Sequence, residues 1–390
     1  MANEKNVITK SDWVSNFTLI GEAKVNDYTF KIDEHSNKSS WIYNSMNLGI
    51  DCGEKFGRIG CELMGGYSED RENIIYVHGK DDDGSDDFGQ TFTVDWEDRL
   101  NDEVLESVGD LCFITVGLEK TDKGKTYYKN FLSAYDAIAY VQEHLEDGMV
   151  VNVRGRLQYS IYNDTVQVRK TIQSIVLSNV DDPSKYVARF TQSVLLDKDS
   201  ASLKDVDKDK GVMYVNARVL DYLKELNGVE IRGQYPYNVT FEFPMDLTKQ
   251  ETCKKIYEKL FKVKKNVRQV TFEGEFVEGG AVVQTSWEDV PDDIKDLVEI
   301  GVYSKEEALQ KCSANGSRER RMLLKKPYIK LGLEDKTPVI QVFDDRYEEE
   351  DLIIDTGVTE EDEEELPFDE DKSSSESSGG DSDMSWLDEL

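Results

Sequence analysis

The spacing of hydrophobic positions changes several times along this chain, and each change marks a unit. Between residues 12 and 120, short runs rich in β-branched and aromatic residues alternate apolar with polar positions. They are WVSNFTLIGEAKV, SWIYNSMNLGIDCG, GRIGCELMGGY, NIIYVHG, TFTVDW and LCFITVGLEK, punctuated by Gly, Asn and Asp. Side chains alternate faces along a strand, so the pattern predicts half-buried β-strands joined by turns. The acidic run at 81–87 reads as a solvated loop. After Ser133 the period lengthens. Ala137, Ile138, Val141 and Leu145 share one helical face, Ser133 can cap its start and Gly148 can end it, which predicts an amphipathic helix. Period two then returns as a long hairpin. Val151, Val153 and Leu157 flank Gly155, a turn falls at 162–165, and Val166, Val168, Ile172 and Ile175 carry the return.

The same order appears a second time. RFTQSVLLD, VMYVNARVLDYL and YNVTFEFPMD read as strands, 251–262 as a helix with Ile256, Leu260 and Phe261 on one side, and VRQVTFEGEFVEGGAVVQTSW as a hairpin turning at Gly279 and Gly280. The polar stretch 198–211 reads as a mobile loop between the first two of these strands. VVNVRGRL and VTFEGEF each place an apolar-x-Gly-x-apolar element just after the helix. Three strands, a helix and two strands is the order of an OB-fold, a five-stranded Greek-key barrel. Glycine in the fourth strand suits a tight barrel bend. A generic β-sandwich is the other architecture open to these strands. The expected fold is therefore mainly β with short helices (β/α+β), with two OB-fold-like barrels. Residues 1–182 form a decorated first unit and 183–287 a second. Residues 288–343 form a helical basic appendage, in which Ser304 and Glu307 make a capping-box pattern and SRERRMLLKKPYIKL reads as a basic strand or arm.

Charge adds a fourth unit. The formal net charge is −33, and 344–390 hold 21 acidic residues against Arg346 and Lys372, which leaves about −14 on the rest. So dense a like-charge block cannot bury enough apolar surface to fold, and predicts a disordered acidic tail. Its apolar hooks for a partner are Leu366, Pro367, Phe368, Trp386 and Leu387. No run of 18 apolar residues predicts a membrane helix, and the N-terminus lacks the apolar segment of a secretory signal. Five scattered cysteines without a C-x-x-C pair fit reduced thiols of a cytoplasm. Three histidines, far apart in sequence, suggest no metal or relay site.

Catalytic signatures are absent: there is no phosphate-binding glycine loop, no G-x-S-x-G and no H-E-x-x-H. The chain is expected to be non-enzymatic, without cofactor or metal. Single-strand binding has a better signal, because OB barrels stack bases on aromatics and line the phosphate path with Arg and Lys. The first unit offers Trp41, Tyr43, Lys55, Phe56 and Arg58. A loop carries Lys125, Tyr127, Tyr128 and Lys129, and the hairpin offers Arg154, Arg156, Tyr159, Tyr162, Arg169 and Lys170. The second unit offers Tyr214 and Arg218, with Tyr222, Arg232, Tyr235 and Tyr237 nearby. Each aromatic taken singly is better read as packing; 19 tyrosines tilt the set toward a half-exposed stacking surface. Residues 311–330 contain Lys311, Arg318, Arg320, Arg321, Lys325, Lys326 and Lys330 against Glu319 alone. These cations suit either phosphate or the chain's own tail.

The sequence EEELPF at 363–368 resembles the acidic tip of bacterial single-stranded DNA-binding proteins, which follows an OB-fold and ends in Leu-Pro-Phe. The resemblance implies that Leu366, Pro367 and Phe368 insert into a pocket on replication or recombination proteins. In that family the Phe is terminal, whereas here 22 residues follow, so Trp386 and Leu387 are a second candidate tip. Two barrels, a basic appendage and an acidic tail together resemble the bacteriophage proteins of this kind more than the short cellular ones. The implied function is coating of single-stranded DNA in phage replication or recombination, in a bacterial host cytoplasm. The acidic balance keeps two rivals: a DNA-mimicking adaptor or inhibitor, and a phage structural protein. A basic, aromatic-lined groove separates strand binding from mimicry.

Overall fold

A computed structural model describes residues 12–163, 165–226, 228–279, 290, 294–295, 298, 304–305, 319–331 and 337–353. Its first half contains β1 (Ser15–Lys24), β2 (Phe30–His35), β3 (Trp41–Asp51), β4 (Arg58–Ser68), β5 (Ile74–Lys80), β6 (Asp86–Asp95), α1 (Asp102–Glu106), β7 (Ile114–Lys120), β8 (Thr126–Phe131), α2 (Ala134–His144), β9 (Val150–Tyr162) and β10 (Thr165–Leu177). The second half contains β11 (Val187–Leu196), β12 (Val206–Asp207), β13 (Val212–Leu226), β14 (Val229–Pro244), α3 (Gln250–Ile256), β15 (Val267–Gly279), β16 (Glu319–Pro327), β17 (Ile329–Leu331), β18 (Pro338–Ile340) and β19 (Val342–Tyr347). The chain is mainly β with short helices, as its periodicity predicts.

Hydrogen bonding closes five strands into a ring in each half. In the first, β1 pairs antiparallel with β3 and β9, β3 with β4, and β9 with β10, while β10 runs parallel to β4. In the second, β11 pairs antiparallel with β13 and β15, β13 with β14, and β15 with β16, while β14 runs parallel to β16. Each ring has its helix between its third and fourth strands, the OB-like order. Helix α2 starts where Ser133 accepts the Tyr135 N–H, and it buries Ala137, Ile138 and Val141 as the spacing requires. One cluster of buried side chains runs through both rings, from Leu19 and Ile50 to Phe241 and Phe272.

The two rings repeat one local device. Gly155 in β9 lies opposite Phe17 of β1, and Gly274 in β15 lies opposite Phe190 of β11. A Cβ at Gly155 would stand 2.8 Å from the Phe17 ring and 1.9 Å from the Thr171 carbonyl oxygen. At Gly274 it would stand 2.1 Å from the Phe190 ring. Both glycines let an aromatic of the first strand fold over the fourth strand where the sheet bends.

The rings are fused along β1 and β11, which pair from Ser15↔Gln192 to Ile20↔Val187. A second joint is the turn after β3. The Glu278 N–H donates to the Phe56 carbonyl at 2.9 Å, and Lys55 reaches Glu275 at 2.8 Å.

Several expectations are corrected. The stretch 198–211 is not merely a polar loop, because Ala201, Leu203 and Val206 are buried in the core. The described antiparallel partner of β15 beyond β11 and β19 is β16, so 319–327 belongs to the second ring and not to a separate appendage. Leu323 and Leu324 account for this, since both are buried. The tail does not begin at 344. Strand β19 pairs Tyr347 with Val267, and Tyr347 is 3% exposed beside Leu195 and Leu220. Strands β5 and β6 form a separate two-stranded sheet outside the first ring, with β6 starting inside the expected 81–87 loop. The 280–289 return strand, most of the helices at 288–310, and 354–390 with Leu366, Pro367, Phe368, Trp386 and Leu387 lie outside the described residues.

Candidate nucleic-acid interface

An open cleft of about 900 Å³ lies on the outer face of β3 and β4, beneath the tip of the β9–β10 hairpin. Its third wall comes from the second ring, through Glu278 of β15 and Arg320 of β16. Side-chain alternation turns Asn47 and Gly49 of β3, and Arg58, Gly60 and Glu62 of β4, toward the cleft. Gly49 and Gly60 lie directly opposite each other, so the floor carries no side chain at that step. The Arg58 guanidinium lies across Gly49, where a Cβ would meet it at 2.1 Å. Above Gly60 nothing among the described residues stands within 4 Å of a Cβ position. A paired glycine step lets a flat ligand approach the sheet backbone.

Among the described residues, four cations line this cleft: Arg58, Arg169, Lys170 and Arg320. They differ in freedom. Lys170 is bound to Glu278 at 2.6 Å, with only 9% and 12% of the two side chains exposed, and its ammonium lies over the Phe276 ring. That pair is a structural pin between the two rings. Arg169 is exposed and 3.7 Å from Glu62, and Arg320 is exposed and 4.0 Å from Glu278. Such loose surface pairs contribute little and yield to a better anion. Arg58 has no hydrogen bond or ion pair among the described residues. Tyr162, 69% exposed, stands at the rim on the hairpin tip. Behind the floor, burial pushes the Cys61 thiol up to about 12, so it is no nucleophile here. A smaller cleft of about 340 Å³ on the other side of the hairpin shares Gln167, Lys170, Glu278 and Arg320, and adds Asn238 and Thr240 of β14 with Arg321. Together the two form a groove around the hairpin tip from ring to ring.

The remaining candidates lie elsewhere. Trp41 and Tyr43 stack on each other at 4.8 Å and 16°, half-buried on the cleft-facing side of β3. Tyr43 is four residues before Asn47, about 13 Å along the strand. Arg154 and Arg156 share one outward face of β9, as period two requires, but line a different surface. There Thr18 of β1 stands between Arg154 and Arg189 of β11, an exposed arginine that the sequence reading missed. Its alternation within RFTQSVLLD was the available signal. Tyr127 is exposed on β8, which is a strand where a loop was expected. Tyr214 and Arg218 share the outer face of β13, where the Arg218 guanidinium donates to Asn238.

Burial removes two candidates from any stacking role, and ion pairs engage several others. Phe56 is a core residue. Tyr159 is buried, donating its hydroxyl to Gln192 at 3.1 Å, and burial pushes its phenol pKa upward. Neither can stack on a base, because the inward phase of its segment is fixed by the core. Lys55 and Lys325 both hold Glu275, Lys326 holds Glu273 at 2.9 Å, and Arg321 donates to Glu242 at 2.8 and 3.0 Å. The basic stretch is thus largely matched by carboxylates of β14 and β15, which flank it in the sheet. Arg318 lies outside the described residues.

A family described as YorF matches residues 114–271, from β7 into β15 and less than half of the chain. No curated protein matches. Among solved structures, a deletion variant of the single-stranded DNA-binding protein from Thermus aquaticus is similar at 10% identity and a TM-score of 0.32, covering 83% of this chain and 98% of that one. The wild-type Thermus aquaticus protein is similar at 10% identity and a TM-score of 0.31, covering 69% and 87%. A likeness this loose carries no functional reading.

Proposed function

We propose that the protein binds single-stranded DNA in the groove around the β9–β10 hairpin, without catalysing a reaction on it. The observation that carries this reading is the convergence of Arg58, Arg169 and Arg320 on an open, glycine-floored cleft with an exposed tyrosine at its rim. Positive side chains gather there although the whole chain carries −33. A DNA mimic has no use for such a groove. Backbone phosphates take the arginines, and a base lies on the Tyr162 ring; base–aromatic stacking contributes roughly 1–3 kcal/mol per base. Duplex DNA is too wide and stiff to wrap a hairpin tip, so the groove selects a flexible strand.

In the finer reading, the protein coats exposed strands during replication or recombination of a phage, and its acidic tail recruits partners through Leu366-Pro367-Phe368 or Trp386-Leu387. Anisotropy titrations of labelled oligothymidine and of a duplex of equal length test the core proposal. Preference for the single strand, weakened tenfold or more by Tyr162→Ala, supports it. Equal affinity for both ligands, or an unchanged affinity in Tyr162→Ala, overturns it.

A further inference from the structure

Outside the groove, the β5–β6 insertion assembles three side chains that no part of strand binding uses. Cys112 follows α1, His78 is on β5 and Asp86 opens β6. The Cys112 Sγ lies 3.3 Å from His78 Nδ1, and His78 Nε2 lies 2.6 Å from Asp86 Oδ1. The His78 backbone N–H also points at the sulfur, at 3.4 Å. Asp86 is held in turn by the Leu111 N–H at 2.9 Å, a contact that draws its carboxyl below the usual range, helped by His78 and Lys80. Lys80 pairs with Asp110 nearby, at 2.8 Å. Gly109 closes over the assembly: a Cβ there would stand 2.4 Å from Asp86 Oδ1 and 2.6 Å from His78 Nε2. The insertion has its own small core, in which Val77, Val94, Val108 and Phe113 fix the three elements. Cys112 remains partly open to solvent beside the exposed Leu111, and the exposed Phe88 ring packs on His78 at 4.5 Å. By contrast Cys52, Cys61 and Cys253 are buried, and burial pushes all three thiols upward.

We propose that Cys112 is a reactive thiol, activated by His78 and Asp86 for exchange with small disulfides. Asp86 accepts the Nε2–H of His78 and so fixes the tautomer whose Nδ1 lone pair faces the sulfur. The thiol proton moves to Nδ1, and the imidazolium and the backbone N–H hold the thiolate. The sulfur attacks one sulfur of the disulfide; the Cys112–S bond forms as the disulfide S–S bond breaks. The leaving thiolate takes the proton from Nδ1. Thiol and disulfide become mixed disulfide and thiol, with no net change of oxidation state.

The test uses the full chain with Cys312→Ser, since Cys312 lies outside the described residues, and the neutral probe 4,4′-dithiodipyridine. The expected result is one fast equivalent at pH 6.5, at least tenfold faster than thiols of the same chain unfolded in urea, and lost in Cys112→Ser. Replacement by His78→Gln lowers the rate at pH 6.5 at least tenfold and restores the profile of an ordinary thiol, near pH 8.5. Asp86→Asn moves both readings the same way. A folded-state rate no higher than the unfolded one overturns the proposal without needing any activation variant. An unchanged pH profile in a folded His78→Gln chain overturns it too.

Discussion

Replacing Arg58, Arg169 and Arg320 together by Ala measures how much of strand binding is phosphate neutralisation in the cleft. Of the four cations lining it among the described residues, Lys170 is locked to Glu278, so three are open to phosphates. Each phosphate neutralised on a single strand contributes about 0.7 to the slope of log affinity against log salt, so three contribute about 2. Between 50 and 200 mM salt, that share alone weakens binding roughly 20-fold. The triple variant should lose this increment. Its log–log line should be flatter than that of the parent by about 2, whatever the tail and other surfaces add, because those are common to both chains. The assay is anisotropy of labelled oligothymidine at 50, 100 and 200 mM NaCl. Lys326→Ala is the control, since Lys326 is held by Glu273 outside the cleft, and it should leave the slope unchanged. Parallel lines for parent and triple variant would show that the cleft carries no phosphate path.

Gly60→Val should place a side chain into open space above the cleft floor, leaving thermal stability unchanged or slightly raised while oligothymidine affinity drops at least tenfold; unaltered affinity would remove the floor from the path. Lys170→Met should cost about 3–5 kcal/mol in urea unfolding by stranding Glu278, and Lys170→Met with Glu278→Leu should recover most of it. The pH dependence has a definite sign at Glu275. Burial acts to raise its carboxyl, but hydrogen bonds from Lys55 and Lys325 outweigh burial and leave it below the usual range. A depressed carboxyl stabilises above its unfolded pKa and loses that contribution as pH falls through the folded value. The stability gap between the parent and Glu275→Gln should therefore be full above the ordinary glutamate range and shrink as pH falls through the depressed folded value. A gap that is constant with pH would show that Glu275 is not coupled to the two lysines.

Period-two and helical spacing were enough to read the first four strands of each ring, helix α2 and the repeated order, though not β2 or β8, and Gly155 and Gly274 marked the bends. The stretch 317–331 reads as a basic strand or arm, but its place as the fifth strand of the second ring was not readable. The segment AVVQTSW follows β15 directly and offers the same alternation as a true partner, whereas β16 lies beyond it in sequence. Its buried Leu323 and Leu324 are flanked by so many cations that the segment reads as an arm outside the core. Pairing was equally hidden. Lys170 and Glu278 are 108 positions apart, so nothing local shows that one cation of the hairpin is a pin and its neighbour Arg169 a free hand. Period two did predict that Arg154 and Arg156 share a face; which face meets the groove is set by ring closure. The histidines were dismissed by sequence distance, yet the β5–β6 pairing brings His78 and Asp86 together and the turn before β7 delivers Cys112.

Where the acidic tail begins has a consequence that two truncations can measure. Residues 344–353 share the acidity of 354–390, but they hold the fold. Tyr347 is buried against Val267, Leu195 and Leu220, Arg268 reaches Asp344 at 2.5 Å, and Arg346 reaches Asp12 at 3.0 Å. Deleting 344–390 removes a buried aromatic and leaves a hole beside β15. Loss of a buried aromatic side chain costs about 3–5 kcal/mol. Deleting 354–390 removes 15 acidic residues and Lys372, about −14, without touching those contacts. The shorter deletion should therefore keep the melting temperature of the parent, while the longer one should lower it by several degrees. The shorter one should also bind oligothymidine more tightly than the parent. The gain should be largest at low salt, because screening shortens from about 30 Å at 0.01 M to about 8 Å at 0.15 M. Equal melting temperatures for the two truncations would place 344–353 outside the cooperative fold. An affinity gain that does not shrink with salt would show that the tail does not compete with DNA through charge, and would leave partner recruitment as its remaining role.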